Sequence, residues 1–292
     1  MKQSRRLLIC WGVSMALTRA QKTRQAAIQN RRRLLIERAY EPKLKREIER
    51  MAGQAAEDYA AGGQGRMEAG LEVHRANLKA ILGELYFTSI ESSRRYLDAT
   101  LLKREGKASI FDPIPATEDP GNATRLLMQK FTKLAFKESV LITETSKNIL
   151  LVLVRDSVEE GLGEEQIAKL IEPHINEGTV TAAGHKAPSP ISRARTIART
   201  ETGMAVSESQ FDLISDMELP PMLKEWNATL DGRTRKDHRN AEKQGLKKPE
   251  ETFRVGTSNM KYPQDRAGSK GQIINCRCVL TWEPEEDLED DD

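Results

Sequence analysis

The sequence predicts an α+β fold: a long helical N-terminal body followed by a small mixed α/β module at the C-terminus. Apolar residues recur at three- and four-residue spacing over most of the chain before residue 217, and aromatic residues make up only 5% of the chain. After residue 221 the pattern changes to short alternating segments separated by turn residues. We divide the chain into a basic helical arm or hairpin (1–120), a helical body (121–220), the C-terminal module (221–282) and an acidic disordered tail (283–292).

The first helical pattern runs from residue 18 to about residue 60, with Ala, Leu, Ile and Met among charged residues. Pro42 lies inside this run, so we expect a kink or break near Tyr40, because proline removes a backbone donor and restricts the residue before it. The glycine-rich segment 62–65 should then end the helix. A second helix is predicted at about 67–107.

A loop with three prolines at 111–121 separates these helices from the rest of the body. A third long helix is predicted at about 122–161. A short amphipathic helix at 163–171 should stop at the proline that follows it. The last helix of the body, at 191–217, is ended by a pair of prolines.

The C-terminal module is predicted to contain a strand, a turn, a helix and a second strand. Residues 226–230 alternate between apolar and polar, as a half-buried strand requires. Asp231 and Gly232 form a typical two-residue hairpin turn, and 236–244 is a short helix ended by a glycine. The closing strand is predicted at 273–282, with alternate residues on one face.

Charge is unevenly distributed, although the net charge is only +2. Residues 1–50 contain 14 Lys and Arg against 4 Asp and Glu, a net charge of +10, while the last ten residues contain eight acids and no base. The basic arm is therefore a candidate for contact with nucleic acid or an acidic protein face, through Arg31, Arg32 and Arg33. The uncharged run 7–17 is shorter than the roughly 20 residues that a bilayer requires, so no membrane contact is expected.

His238, Cys276 and Cys278 are the sharpest chemical candidate, because zinc is bound by these residue types, with Asp231 or Asp237 as a fourth ligand. A regular strand, however, would hold the two sulfur atoms about 7 Å apart. Free cysteine is also among the most buried residue types. We therefore favour a packing role and predict no metal or other cofactor, with these three residues as the candidate ligands if a metal is bound.

The chain contains no phosphate loop, no H-E-x-x-H, no G-x-S-x-G and no dinucleotide-binding fingerprint. An ordinary ATPase, zinc protease or serine hydrolase is thereby excluded. The enzymatic alternative that stays open is a metal-assisted hydrolase or nuclease, which would use His238 with Asp231, Asp237 and the Cys276/Cys278 pair.

Four segments occur in a specific order in the last third of the chain. They are R-A-R-T-I-A-R-T-E-T at 193–202, W-x₄-D-x-R-x-R-x-x-H from Trp226 to His238, Y-P-x-D at 262–265, and I-N-C-R-C ending at Cys278. In this order and spacing, the chain resembles the phage head morphogenesis family, the Mu F-like minor head proteins, over about residues 140–282.

The resemblance implies a minor structural or assembly protein of a tailed-phage head. Such a protein associates with the phage portal protein and aids head morphogenesis, DNA packaging or DNA delivery. Scaffold or major capsid protein and a non-specific DNA contact are further candidate partners. The implied location is the virion, and the host cytoplasm during assembly. No enzymatic activity is implied.

Structural roles are expected for the motif residues. Arg199 would hold a carboxylate and dock its helix onto the module; the alternative, which is the default for this segment taken alone, is a solvated charged face. Arg233 and Arg235 would pair with nearby carboxylates such as Glu201 or Asp265.

Within the module, Trp226 and Trp282 would form an apolar floor. His238, Asn275 and Cys276 would hold the closing strand by hydrogen bonds or packing. The full set of candidate motif residues is Arg199, Thr200, Glu201, Trp226, Asp231, Gly232, Arg233, Arg235, His238, Tyr262, Pro263, Asp265, Asn275, Cys276 and Cys278.

Overall fold

The computed structural model describes residues 17–100, 121–177, 181, 183–185, 188–217 and 219–285. These residues confirm the α+β class: a long helical body carries a small C-terminal module of antiparallel strands. The uncharged run at the N-terminus, the proline loop and most of the acidic tail lie outside the described residues. Across the described helices, no apolar stretch is long enough to cross a membrane.

The first element, α1 (Arg19–Thr100), is a helical hairpin whose two arms meet at Gly62 and Gly63. Gly63 has φ 68° and ψ −161°, a conformation that is open almost only to glycine. The arms run antiparallel, since the Tyr40 and Thr88 hydroxyl groups share a hydrogen bond of 2.8 Å. The predicted glycine break is confirmed.

The break predicted near Tyr40 does not occur, because the helical backbone continues through Pro42. Proline in a helix interior costs about 3 kcal/mol. Tyr40, Leu44 and Ile48 are all buried in the hairpin core, and each such burial contributes about 1.5–3 kcal/mol. Packing of the arm thus outweighs the local cost of the proline.

Three further helices complete the body: α2 (Gly121–Glu159), α3 (Glu164–Glu177) and α4 (Pro190–Ile214). The third predicted helix corresponds to α2. The stop predicted before Pro173 is wrong, because α3 continues through it and places Ile175 in the core.

The helix α4 packs mainly against α1. Ser189 is the N-cap of α4, and the Ser189 side chain accepts a hydrogen bond from the backbone N–H of Ser192; a proline occupies the first turn. Its buried residues lie all round the helix, which is typical of a helix surrounded by neighbours.

The C-terminal module contains two small sheets and two short helices. Its elements are β1 (Met222–Asn227), α5 (Lys236–Glu242), β2 (Leu246–Lys247), β3 (Phe253–Val255), β4 (Ser258–Met260), α6 (Lys270–Ile273) and β5 (Val279–Pro284). The three-stranded sheet has the order β2-β1-β5, and both pairings are antiparallel. A hairpin of β3 and β4 forms the second sheet.

Both predicted strands are displaced along the chain. The first ends at Asn227, and Leu230 is exposed. Asp231 and Gly232 do not join a hairpin, because β1 pairs with β2 and β5 instead. The closing strand begins only at Val279, after both cysteines, and continues beyond the predicted boundary at residue 282.

The free edge of β5 is covered by α1. The Gln29 side chain donates to the backbone carbonyl of Leu280 at 2.7 Å, and Arg33 donates to that of Cys278 at 3.2 Å. Gln29 and Arg33 are four residues apart and therefore lie on one face of the helix. Because an uncovered strand edge presents unpaired backbone groups, this contact makes the helical body part of the module's own structure.

Candidate functional site

The side chains of His238, Cys276 and Cys278, which we call the Cys/His cluster, meet in the module interior. The His238 Nδ1 atom lies 3.3 Å from Cys278 Sγ and 3.5 Å from Cys276 Sγ. All three ligand atoms lie within 4.8 Å of one another. Each residue is only 2% exposed. The sequence therefore identified a set of residues that the fold does bring together.

The strand-based argument against this cluster is wrong. Cys276 and Cys278 precede β5 and lie in an irregular segment, so the strand spacing of about 7 Å does not apply to their sulfur atoms. Asn275 has φ 59°, a left-handed conformation that asparagine tolerates better than most residues. The bend at Asn275 turns the chain so that both sulfur atoms face His238.

The orientation of His238 is set by a short chain of hydrogen bonds. Gln272 donates from Nε2 to Asp237 Oδ2 at 2.7 Å, which leaves its Oε1 atom facing His238 Nε2 at 3.0 Å. Since Gln272 Oε1 can only accept, the imidazole proton lies on Nε2. The lone pair on Nδ1 then points towards the two sulfur atoms.

The two thiols have different proton affinities. Burial alone would raise the pKa of Cys276, but its hydrogen bonds with Cys278 outweigh burial and lower that pKa. The hydrogen bond with Cys276, together with burial, raises the pKa of Cys278 well above its usual value. The pair therefore shares its protons unequally, and Cys276 is the more acidic thiol.

The main side-chain partner of Asp231 is Arg277, which lies outside its own motif. Both guanidinium NH₂ groups of Arg277 donate to the Asp231 carboxylate, at 2.5 and 2.6 Å, which is the bidentate arrangement typical of strong arginine–carboxylate pairs. These bonds hold the pKa of Asp231 well below its usual range. Asp231 also accepts from the backbone N–H of Arg233 at 2.9 Å, and so organises the turn.

Arg233 pairs with a nearby carboxylate, as predicted, but the carboxylate is that of Asp231, at 3.7 Å, and not Glu201 or Asp265. Arg233 is otherwise exposed, and the carboxylate partner predicted for Arg235 is wrong. Arg235 donates to the backbone carbonyl of Ile274 at 2.6 Å. Gly232 is exposed, and a Cβ atom there would meet nothing within 4 Å, so the turn does not depend on glycine.

The helix α4 is docked onto the module through its backbone. Gln264 is completely buried and donates from Nε2 to the carbonyls of Arg199 and Thr200, at 3.4 and 3.2 Å. A Cβ atom on Gly203 would lie 1.9 Å from Gln264 Oε1. Glycine at this position therefore allows Gln264 to reach the helix.

A second link joins α4 to the segment before β5. The Asn275 backbone N–H donates to Thr200 Oγ1 at 3.1 Å, and the Asn275 side chain donates to Thr196 Oγ1 at 3.3 Å. The docking role predicted for Arg199 is displaced, because Arg199 pairs with Glu37 on α1 at 3.4 Å. The side chain that links α4 to the module at this point is therefore that of Thr200 and not that of Arg199.

Glu201 faces the body and is almost fully buried. It accepts a hydrogen bond from Tyr86 Oη at 2.6 Å and a longer one from Arg266 at 3.4 Å. Arg266 also pairs with Glu138 at 2.8 Å. Burial and the negative charge of Glu138 raise the pKa of Glu201 to about 7. The carboxyl group therefore gains a proton more easily than an exposed glutamate would.

The Y-P-x-D segment forms a buried turn after β4. Asp265 accepts from the backbone N–H groups of Lys261, at 2.6 Å, and Ala267, at 2.9 Å, so it closes the turn instead of pairing with an arginine. Pro263 is buried, and the Tyr262 ring lies 5.3 Å from that of Phe211. The turn thus presents Gln264 to α4.

The two tryptophans lie on one face of the β1–β5 sheet. Trp226 is paired with Leu280, and Trp282 with Lys224, so all four side chains point to the same side. Trp226 packs edge-on against the His238 ring at 5.6 Å, which ties the apolar floor to the Cys/His cluster.

Lys224 is buried among aromatic rings on this face. Its Nζ atom donates to the carbonyls of Pro249 and Glu251, at 2.7 and 2.6 Å. Burial lowers its pKa to about 8.

The three arginines proposed for nucleic-acid contact have different environments. Arg31 is exposed. Arg32 donates to the carbonyl of Ser92 at 2.9 Å. Arg33 is buried and pairs with Glu37 at 3.1 Å. Of these three arginines, only Arg31 is classed as exposed.

Several residues of the site were missed from the sequence. Arg277 and Gln264 occupy the variable positions of C-R-C and Y-P-Q-D, and Gln272 and Arg266 flank those motifs. Their presence inside or beside the quoted segments is the signal that could have identified them. Tyr86 carried no such signal, because it lies on α1, far from the motifs in sequence.

The geometry limits the chemistry that the site can perform. Asp231 is bonded to Arg277 and Asp237 to Gln272, and neither belongs to the group that could hold a metal among the described residues. Of the residues named for the hydrolase alternative, the described structure brings together His238, Cys276 and Cys278, and it places both aspartates in other hydrogen bonds.

Comparison with known families gives one match. Residues 148–281, just under half of the chain, match the family described as Phage Mu protein F like protein. No curated protein and no solved structure matches the chain. The family match supports the resemblance identified from the four segments, and it indicates a phage head morphogenesis protein.

Proposed function

We propose, from the Mu F-like character of residues 148–281, that this chain is a minor structural protein of a tailed-phage head. It binds the portal, with scaffold or major capsid protein as further partners, and aids head assembly, DNA packaging or DNA delivery. Its location is the virion, and the host cytoplasm during assembly. The family match is the observation that carries the proposal.

The way in which the motif residues are used supports a structural role without turnover. Asp231 is bonded to Arg277, Asn275 to Thr196 and Thr200, and Asp265 to its own turn. Each polar group is thus occupied in holding elements together. A catalytic group would instead need to reach a substrate within hydrogen-bonding distance.

A stripe on the first arm of α1 is suited to partner binding. Arg24, Ile28, Arg31, Leu35 and Arg38 are all exposed. Their spacing of four and three residues places them on one side of the helix. We call these five residues the basic stripe. Alternating cationic and apolar side chains fit an acidic protein surface that also offers apolar contact, and this favours the portal over DNA as the partner.

The proposal is tested by charge reversal on the full chain. The triple variant Arg24→Glu, Arg31→Glu and Arg38→Glu is compared with a control that makes the same charge change elsewhere, at exposed Lys133, Lys137 and Lys270. Binding to purified portal protein is measured by pull-down and by titration. We expect the stripe variant to lose at least about tenfold in affinity, equivalent to about 1.4 kcal/mol, and the control to bind like the wild type.

Equal binding by wild type, stripe variant and control would contradict the assignment of the stripe. Absence of any portal binding by the wild type would contradict the portal role itself. The DNA contact has its own measurement, since phosphate contacts make affinity fall steeply with salt. A binding constant for duplex DNA that does not change with salt would exclude that contact.

A further inference from the structure

The Cys/His cluster gathers three potential metal ligands at one buried point. His238 Nδ1 carries one lone pair, because the imidazole proton lies on Nε2 against Gln272. One lone pair can accept one S–H hydrogen bond. Two buried sulfur atoms nevertheless converge on it, at 3.3 and 3.5 Å.

A tetrahedral zinc site accounts for this convergence. Zinc–nitrogen bonds of about 2.0–2.1 Å and zinc–sulfur bonds of about 2.3 Å, at tetrahedral angles, place nitrogen and sulfur about 3.5 Å apart. Both nitrogen–sulfur distances in the cluster are close to that separation. A zinc ion could therefore be bound without a large movement of these three side chains.

The surroundings also match those of a zinc-binding histidine. Such a histidine donates its other ring N–H to an oxygen that is itself hydrogen-bonded, which sets the ring orientation and raises its basicity. Gln272 Oε1 receives the Nε2 proton at 3.0 Å, and Asp237 Oδ2 holds the Gln272 amide at 2.7 Å. This chain of contacts leaves Nδ1 ready to donate its lone pair to a metal.

We propose that His238 Nδ1, Cys276 Sγ and Cys278 Sγ bind one zinc ion. Binding displaces the thiol protons, which pass to solvent, and involves no oxidation or reduction. The ion joins α5 to the segment before β5, across about 40 residues of chain. Its role is to hold the closing strand in place, and this role does not depend on the phage-head function.

The test begins with the full-length wild-type chain, prepared under reducing conditions and without a histidine tag. Elemental analysis should give about one zinc ion per chain. After removal of the zinc by a chelator, added Co²⁺ should produce the visible bands of tetrahedral cobalt and a sulfur-to-cobalt charge-transfer band. These measurements require no variant, so a folding defect cannot obscure them.

Variants then assign the ligands. Cys276→Ser, Cys278→Ser and His238→Gln should each bring the zinc content close to zero. Cys10→Ser and His185→Gln change the same residue types outside the cluster and should retain the wild-type zinc content. Chelation should lower the melting temperature of the wild type and of these two controls, and zinc should restore it.

Three results would overturn the proposal. The first is a reduced, folded wild-type chain without zinc that takes up no Co²⁺. The second is a Cys276–Cys278 disulfide, detected as two missing thiols after denaturation. The third is a zinc content that survives all three cluster variants, which would place the ion elsewhere. A variant could lose zinc because it is unfolded and not because a ligand is missing. The cobalt spectrum of the folded wild type then decides whether cysteine sulfur binds the metal.

Discussion

Gly203 shows how a single residue on α4 determines whether the module can dock. The glycine lies in the interior of a helix, where it is less favourable than alanine by about 0.8–1.0 kcal/mol. Its use is explained by Gln264, whose amide group lies where a Cβ atom would be. Gln264 in turn has φ 66°, so the turn that carries it has little freedom to move away.

We predict that Gly203→Ala destabilises the chain by about 1–3 kcal/mol, the usual cost of overpacking a closed interior. Gly83→Ala is the matched control, because Gly83 also lies within a helix but a Cβ atom there meets nothing within 4 Å; its stability should be unchanged or raised. Denaturant unfolding measures both. Equal stability of the two variants would show that the Gln264 side chain can move to accommodate a Cβ atom at position 203.

Glu201 is the residue through which pH should act on stability. Its pKa is raised to about 7 in the folded chain by burial and by Glu138, against about 4.3 in an unfolded chain. Between these values the folded chain holds a proton that the unfolded chain has lost. The free energy of unfolding must therefore fall as the pH rises from about 5 to about 7.

We predict that Glu201→Gln removes this fall, since the amide resembles the protonated carboxyl group and can still accept from Tyr86. The variant should be more stable than the wild type at pH 8 by up to about 3 kcal/mol, and similar to it at pH 5. Unfolding curves at both pH values test this. Glu57→Gln, at an exposed position, is the control; parallel profiles for the wild type and Glu201→Gln would refute the prediction.

For single residues, the sequence indicated which side chains belong to the site better than it indicated which of them bond to one another. It identified Asp231, His238, Asn275 and the two cysteines, but it did not identify Arg277 as the main partner of Asp231 or the Ile274 carbonyl as the partner of Arg235. Residue types indicate which groups can bond. Which of several arginines reaches a given carboxylate depends on chain directions that no local pattern contains.

Among the elements, β5 depends most on contacts outside its own sheet. One edge pairs with β1, and the other is covered by Gln29 and Arg33 of α1. Lys22 adds an ion pair with Glu283 at 3.1 Å. The strand is thus held between a sheet and a helix.

We predict that Gln29→Ala lowers the free energy of unfolding by about 1–3 kcal/mol, because it leaves the buried Leu280 carbonyl without its donor. Amide hydrogen exchange across 279–284 should accelerate, while exchange in α2 should change little. Gln54→Ala, at an exposed position on the same arm, serves as the control. Unchanged exchange in β5 would show that the edge is protected in another way.

Helices were predicted better than strands, for a physical reason. The helical period extends over many turns, so the bounds of α2 follow from the sequence. The predictions at Pro42 and Pro173 were wrong because burial of the surrounding apolar residues outweighs the free-energy cost of a proline inside a helix. The strands have at most six residues, which is too short for alternation to define a start, and β5 was therefore placed too early by six residues.

At the scale of the whole molecule, body and module are joined by several buried or part-buried contacts. Gln264 and Asn275 bond to α4, Arg266 pairs with Glu201 and Glu138, and the edge of β5 rests on α1. These contacts cross the division at residue 221, which was drawn from the change of sequence pattern.

We predict that a fragment of residues 219–285 does not fold alone, even with zinc added, because its sheet edge and the buried Gln264 lose their partners. The full chain should unfold in a single transition that is the same by circular dichroism and by tryptophan fluorescence. A fragment with dispersed amide signals, or two separate transitions of the full chain, would contradict this prediction.

The edge cover on β5 has a consequence for how this segment can be exchanged between proteins. The family match begins at residue 148, whereas Gln29 and Arg33 lie more than a hundred residues earlier. If only the residues from 148 onwards were transferred to another protein, the outer edge of β5 would lose its hydrogen-bond donors. Its exposed backbone groups could then pair with a strand of a second copy. A recombinant that contains this segment therefore needs either the first arm of α1 or other side chains that donate hydrogen bonds to the edge of β5.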